Sequence, residues 1–598
     1  MDRRPVTKQV DPVQRVRIVY ALLLVVFALF TIRLFYLQVI DYNHYKSAAL
    51  NDQLRQYQIP AVRGLITAHL GSNTVPIVLN QQLYTLVADP VFIKHPVKVA
   101  AKLQPVIGGS TATITQLLKT PHTQYVVLAT KLTAAQNKKI LGYQFPGIDT
   151  QAHEYRTYPD GNLAAQVLGF VNASGQGEYG VEQAMNNQLA GKPGKLKAIT
   201  DINGVPLAAT PGNVSIAPVN GSNVGLTLNI AMESDVHKIL KQSEQQYHAQ
   251  NIGAVVLDMN TGAVKAMSDY PTFDPANYAN VSNPAEFQNM TVSYPIEMGS
   301  IEKILTTATA LNVGAVNRNS TFYDPGTWMV DGFPISDVSI DHSHGQQSIL
   351  STLDLSLNTG ATWMLMQMGG GKLDAKGRDI LHNYLVNHFM LGKPTGIEQG
   401  YEAAGYIPPP TKDHKAINLT YANVSFGQGM TATALQVAAA DSAALNGGTY
   451  YKPYLVDSIT SPNGKVKKIG PTVVKRNVVS SATSKSLQWL LEHAAYNHIY
   501  EGYPWMNFGP NYNVGGKTGS AQVALPTGGY SPTEINGSYA GFVGGNKPQY
   551  MIVVYEIEPH VVPSYFAGAH VCQRVFANIV NVLTKDFGVT PTVGQRGV

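Results

Sequence analysis

The feature that most constrains this chain lies near its start. From Ile18 to Ile32 (IVYALLLVVFALFTI) no charge interrupts the sequence, and apolar character resumes after Arg33 through Leu34, Phe35, Leu37, Val39 and Ile40. A helix over residues 18–40 rises about 35 Å, at ~1.5 Å per residue, which spans the ~30 Å hydrocarbon core of a bilayer. Arg3, Arg4, Lys8, Arg15 and Arg17 precede the run, against Asp2 and Asp11. Positive flanks stay in the cytoplasm, so residues 1–17 are expected as a cytoplasmic tail. The rest is expected outside, on a single-pass anchor in the cytoplasmic (inner) membrane. Arg33, beside Tyr36, is placed to snorkel to the interface. The bulky RLFYLQVIDY that follows offers no small-residue cleavage site, which argues against a removed signal peptide.

At 598 residues the chain exceeds one ordinary domain. Hydrophobic residues make up 44% and charged residues 14%, which excludes a disordered chain. The net charge of +5 is scattered without a basic run, so nucleic acid is not an expected partner. Cys572 is the sole cysteine, so neither an intramolecular disulfide nor a cysteine-based zinc site can form.

Residues 41–60 read as a helical continuation into a stalk. Residues 61–220 are mixed, with strand-like LYTLVADP and AQVLGFV and helical TAAQNKKIL and YGVEQAMNNQLAG. Ala208–Ser222 reads as a loop and marks a boundary. The expected organisation is therefore a pedestal over 41–220, a larger domain over 221–585 and a loose tail over 586–598. IAMESDVHKILKQSEQQY reads as a helix, and AVVLDMNTGAVKAM as a hairpin turning at Asn260-Thr261-Gly262.

Three short motifs carry chemistry. In Ser300-Ile301-Glu302-Lys303, apolar residues at 301, 304, 305, 308 and 311 recur at helical spacing. Ser300 then sits at a helix N-terminus, where N–H groups favour developing negative charge, and Lys303 returns to the same face one turn on. A serine hydroxyl needs a base, and a desolvated neutral lysine can be one. In Ser356-Leu357-Asn358, the hydroxyl can relay a proton and the amide can hold a substrate backbone. In Lys517-Thr518-Gly519-Ser520, the glycine in a strand marks close approach, the lysine suits a carboxylate, and the two hydroxyls can assist. Each alone also reads as a helix cap, a polar turn or a Gly-rich hairpin. Together, in this order and about 55 and about 160 residues apart, they form one signature.

Other matches carry less. Gly175, Gly177 and Gly180 form G-x-G-x-x-G, but MNNQLAGKPGKLKAITD follows where a dinucleotide site needs a βαβ unit, so no dinucleotide site is expected. Asp341, His342 and His344 form no H-E-x-x-H and read as polar loop residues, so no metal site is expected there. Met364, Met366 and Met368 read as core, and Cys572 as a buried inert thiol.

With these motifs on the page, the chain resembles the class B penicillin-binding proteins along nearly its whole length. RLFYLQV, FPGIDTQAHEYRTYPDGNLAAQVLGFV, GEYGVEQAMNNQLAGKPGK, DMNTGAVKAMSDYPTFDPANY, LGKPTGIEQGYEAAG, SFGQGMTATALQVA and SYAGFVGGNKPQYMIVVYEIEP all match. The last of these, with TGIEQGYEAAG, looks closer to the division-septum type than to the rod-elongation type. The resemblance implies an α+β fold: a transmembrane helix, an elongated pedestal of dimerisation type, and a transpeptidase domain like the serine β-lactamases, with an antiparallel sheet flanked by helices. It implies a D,D-transpeptidase cross-linking peptidoglycan in septal cell-wall synthesis, with D-Ala-D-Ala stem peptides as donors, β-lactams as inhibitors and no cofactor. Ser300 is then the acylated residue, Lys303 its base and Ser356 a proton relay. Asn358, Lys517, Thr518, Gly519 and Ser520 position substrate, and the N–H groups of Ser300 and Ser520 form the oxyanion hole. Implied partners are a membrane-embedded glycan polymerase of the SEDS type and divisome proteins. Two departures stand out: Glu302 replaces a usual apolar residue and Met298 a usual proline. Glu302 motivates a rival reading, a silent division scaffold. A D,D-carboxypeptidase or β-lactamase-type hydrolase is the other alternative.

Overall fold

The apolar run forms helix α1 (Pro12–Phe35), continued by a π-helical turn over Tyr36–Ile40. Leu24, Phe27 and Phe30 are exposed along it, as side chains meant for lipid would be. Val16–Ile40 is the one span among the described residues long and apolar enough to cross a membrane. The Arg33 guanidinium lies 5.4 Å from the Tyr36 ring, near the C-terminal end of the span. The computed structural model describes residues 12–46, 54–199, 214–337, 345–411, 416–525, 529–561 and 563–592.

The chain divides into two compact units, Met1–Ala61 with Gly191–Asn220, and Val62–Ala190 with Gly221–Val598. The first holds α1 and a three-stranded sheet. There Leu54–Ile59 pairs antiparallel with Gly194–Ile199, which pairs in turn with Val214–Ile216. This corrects the expected helical stalk, which ends as a strand, and the expected loop over 208–222, which contains one. The reason is non-local. The partner of residues 54–59 lies far along the chain, and a ladder formed at that distance leaves no mark on local periodicity.

In the second unit, a seven-stranded sheet includes Ile66–Leu70, Asn73–Ala88 and Ile148–Thr157. Asn223–Asn229 joins Ile66–Leu70 in parallel. Glu182, fully buried, accepts from Arg63 Nε at 2.8 Å and from Arg156 Nε at 2.7 Å. The glycines of the discounted G-x-G-x-x-G serve this packing: Arg63 Nη1 donates to Gly175 O, and a Cβ on Gly177 would meet Glu182 O at 2.0 Å.

The larger part of this unit is built on a five-stranded antiparallel sheet. Its strands are β1 (Asn251–Asp258), β2 (Val264–Tyr270), β3 (Asn513–Ala524), β4 (Tyr530–Gly544) and β5 (Pro548–Ile557), in the order β2-β1-β5-β4-β3. The expected hairpin is β1–β2. Strand β1 shows why the sheet is covered on both faces. Ile252, Ala254 and Val256 pack with helix α2 (Ile230–Tyr247) and the C-terminal helix Gln573–Asp586, while Val255 and Leu257 face the other core. That second core contains helix α3 (Lys303–Asn312), whose Ile304 and Leu305 are buried, and the wholly buried helix Ala434–Leu445. Each such apolar side chain contributes about 1.5–3 kcal/mol, which fixes α3 beneath the sheet. Met364 and Met368 belong to this core and Cys572 is buried, as their sequence contexts indicated, while Met366, also read as core, is only half-buried. Strand β3 is an edge strand, and the turn that carries Ser300 packs against it and its neighbour β4.

Candidate active site

Residues Gly299–Glu302 form one 3-10 turn that leads into α3. Gly299 has φ +61°, and a Cβ there would stand 2.7 Å from Ser520 O and 3.1 Å from Ser520 N. Glycine is therefore required by both the left-handed backbone and the approach of β3. The same contact places the backbone of Ser520 beside the residue that precedes Ser300. Ser538 Oγ, on β4, ties the other side of the loop by donating to Met298 O at 2.6 Å.

Lys303 is fully buried, and its Nζ lies 2.9 Å from Ser300 Oγ, 2.6 Å from Ser356 O, 3.2 Å from Ser356 Oγ and 2.8 Å from Asn358 Oδ1. Burial pushes the Lys303 amine well below the ordinary lysine range. The neighbouring Lys517 pushes it further, and Asp337 opposes both. Ser356 has φ +59°, a strained backbone for serine that turns its carbonyl toward Lys303. Asn358 opens helix α4 (Asn358–Met368). Its Nδ2 donates to Ser336 O at 2.9 Å, which leaves Oδ1 for Lys303.

Lys517, on β3, is also fully buried, and its amine is pushed down to about 7, chiefly by burial. Its Nζ donates to Thr518 O and Thr518 Oγ1, each at 3.0 Å. Thr518 and Ser520 are half-buried on β3, and Ser520 Oγ donates to Tyr565 O at 2.9 Å. Gly519 lets the strand press on the Ser300 loop, since a Cβ there would meet Met298 O at 2.5 Å. Ser300, Lys303, Ser356 and Asn358 thus share direct hydrogen bonds. Lys517, Thr518, Gly519 and Ser520 flank them on the facing strand. Asp341, His342 and His344 lie outside the described residues.

Two groups of residues here carried no sequence signal. The Asp337 carboxylate accepts from Asn358 N, from Thr359 N at 3.1 Å and from Thr359 Oγ1 at 2.8 Å. Asp354, His498 and Glu501 bring one ligand-type atom each within 4.8 Å of one another. His498 Nε2 is 3.9 Å from both carboxylates, a separation that suits two ligands of one cation. The second ring nitrogen argues otherwise. Trp505 Nε1 can only donate, and it does so to Gln573 Oε1, so the Gln573 amide nitrogen faces His498 Nδ1 at 2.7 Å. Nδ1 then accepts, the ring proton sits on Nε2, and a protonated nitrogen does not ligate a metal. The cluster instead surrounds Lys517, whose charge both carboxylates favour.

Residues 252–581 match the penicillin binding protein transpeptidase domain. The chain belongs to this family of penicillin-binding transpeptidases. Residues 58–226 match the penicillin-binding protein dimerisation domain. The transpeptidase is 29% identical to stage V sporulation protein D of Bacillus subtilis over 588 residues, 97% of this chain and 87% of that protein. It is 25% identical over 571 residues to the peptidoglycan D,D-transpeptidase FtsI of Escherichia coli K12, covering 94% and 90% of the two chains. Among solved structures it resembles a peptidoglycan synthetase from Bifidobacterium adolescentis, with TM-score 0.67, 25% identity, and 91% and 98% coverage of this chain and that one. It shares its fold with penicillin binding protein 2X from Streptococcus thermophilus, with TM-score 0.71, 22% identity, and 90% and 81% coverage. With its N-terminal span, this penicillin-binding transpeptidase is a single-pass membrane protein. Its fold is that of an enzyme that accepts peptidoglycan and binds β-lactams.

Proposed function

We propose that the chain is a peptidoglycan D,D-transpeptidase of septal wall synthesis, acylated at Ser300. The observation that carries the reading is the 2.9 Å approach of a fully buried Lys303 amine to Ser300 Oγ. A neutral amine has two hydrogens and one lone pair. Ser356 O and Asn358 Oδ1 take the hydrogens, so the lone pair faces the Ser300 hydroxyl. Ser300 Oγ attacks the penultimate D-alanine carbonyl of a donor stem peptide as Lys303 takes its proton. The oxyanion meets the N–H groups of Ser300 and Ser520. Collapse expels the terminal D-alanine, whose amine regains the proton from Lys303 through the Ser356 hydroxyl. The amine of an acceptor peptide then attacks the ester carbonyl and gives up a proton to Lys303, which returns it to Ser300 Oγ as the acyl–Oγ bond breaks, so the new amide forms and the serine is restored. Lys517, Thr518 and Ser520 hold the terminal carboxylate, and the free edge of β3 offers backbone groups to an extended peptide.

The Arg-rich tail keeps residues 1–17 in the cytoplasm and the catalytic part outside. The partners are a SEDS-type glycan polymerase, met through the span and the pedestal, and divisome proteins. Fluorescent penicillin labelling tests the core of the reading. Wild type labels covalently and Ser300→Ala does not. A label that survives in Ser300→Ala removes the nucleophile, and fast release of the acyl group by water favours the hydrolase reading.

A further inference from the structure

We propose that Asp337 is a positioning residue for acyl transfer: it reaches in from the end of a hairpin and holds the Ser356–Asn358 turn against Lys303. The inference rests on the reading of Lys303 as the base of Ser300. The hairpin pairs Thr327–Val330 with Phe333–Ser336, and Asp337 follows directly, 5% exposed.

Helix α4 begins at Asn358, and the residue before it, Leu357, has no side chain able to cap the first N–H groups. Asp337 supplies that cap from a distant stretch of chain, through Asn358 N, Thr359 N and Thr359 Oγ1. A carboxylate at this position also complements the helix dipole. The preceding residue completes the clamp, because Ser336 O accepts from Asn358 Nδ2 at 2.9 Å. One dipeptide, Ser336–Asp337, thereby fixes both the backbone and the amide orientation of Asn358. Oδ1 is left directed at Lys303 Nζ, 2.8 Å away. The strained Ser356 backbone, at φ +59°, needs such a clamp to persist.

Asp337 also sets a carboxyl group opposite a buried amine; burial raises it, and its hydrogen bonds from Thr359 and the charge of Lys303 oppose that rise. The groups that face this pair are Lys517 on β3 and Asp324 on the strand Thr321–Asp324. Lys517 in turn faces Asp354 and Glu501, and its charge bears on His498. Within this set Asp337 favours the charged form of Lys303, and Lys517 opposes it. Removing the Asp337 charge while keeping its shape therefore lets Lys303 lose its proton at lower pH.

The test is the rate of fluorescent-penicillin acylation against pH for the detergent-solubilised full chain. The forms compared are wild type, Asp337→Ala, Asp337→Asn and Ser300→Ala. Asp337→Ala, which loses the clamp, is expected to cut the plateau rate roughly tenfold or more. Asp337→Asn retains an acceptor oxygen for the helix amides, recovers most of the plateau and moves the acid limb of the profile to lower pH. An Asp337→Asn profile that superimposes on wild type, or an acid limb moved to higher pH, overturns the inference. If Asp337→Ala does not fold, the Asp337→Asn profile alone decides. Labelling of Ser300→Ala would instead remove the underlying reading of the site, so the two failures are distinguishable.

Discussion

Glu302 lies two residues beyond Ser300, yet it is buried in the interior with Asp441, 3% and 1% exposed. In the 3-10 turn that carries both, at about 120° per residue, Glu302 stands about 120° round from Ser300, off the face to which Lys303 returns. Glu302 Oε1 and both Asp441 oxygens lack hydrogen-bond partners. Burial pushes both carboxyl groups well above the ordinary range, and Asp441 raises Glu302 further. Burial thus favours the neutral form of each, and the departure that suggested a silent scaffold sits off the catalytic face.

Glu302→Gln is therefore expected to keep penicillin acylation within roughly tenfold, about 1.4 kcal/mol of barrier. Stability follows from the raised pKa. The neutral acid is fully compatible with folding below the ordinary glutamate pKa of ~4.3. Above it the unfolded chain ionises, and the native state loses ground as pH rises. Thermal unfolding should show Glu302→Gln close to wild type at pH 4, with an advantage that grows toward pH 8. An advantage that shrinks with pH would contradict a protonated Glu302.

Lys303 should tolerate no substitute that stays charged. Arginine cannot become neutral at accessible pH, so Lys303→Arg should lose acylation as Lys303→Ala does, by 10²–10⁴-fold for a missing general base. For wild type, the rate should rise with pH along a limb well below the ordinary lysine range, because burial and Lys517 lower the amine. The two lysines interact, so the limb reports the pair. Near-normal acylation by Lys303→Arg would exclude a lysine base.

Gly299→Ala should impair the site without touching a catalytic side chain. The new Cβ would stand 2.7 Å from Ser520 O at a backbone φ of +61°. Both effects push β3 from Ser300, so acylation should fall roughly tenfold or more, with displacement of this order able to cost 10²-fold. Rates equal to wild type would show that β3 gives way freely.

The pedestal offers a stability prediction. Glu182 pairs with two arginines, with Arg63 and Arg156 side chains only 10% and 5% exposed. Glu182→Ala leaves two buried cations unpaired, a change of about 3–5 kcal/mol. The melting temperature of the solubilised chain should fall clearly. The double change Glu182→Ala with Arg156→Leu should recover part of the loss.

What the sequence determined by itself was local or near-local. The span follows from an uninterrupted apolar run, and Ser300 and Lys303 share a face because three residues nearly complete a helical turn. The hairpin β1–β2 follows from an Asn-Thr-Gly turn between apolar strands. The three motifs were legible because the spacing within each encodes its geometry, and the fold class followed from the family resemblance that their order carries. Tertiary structure alone decided which distant groups met. It drew residues 54–59 into a strand with residues 194–199, brought Asp337 onto the first amides of α4, and gathered Asp354 and Glu501 around Lys517. It also shifted the ionisation of Lys303 and Glu302. A lysine or glutamate reads as charged in any sequence, and only enclosure by a core, with the neighbours that core supplies, tips the balance toward the neutral form.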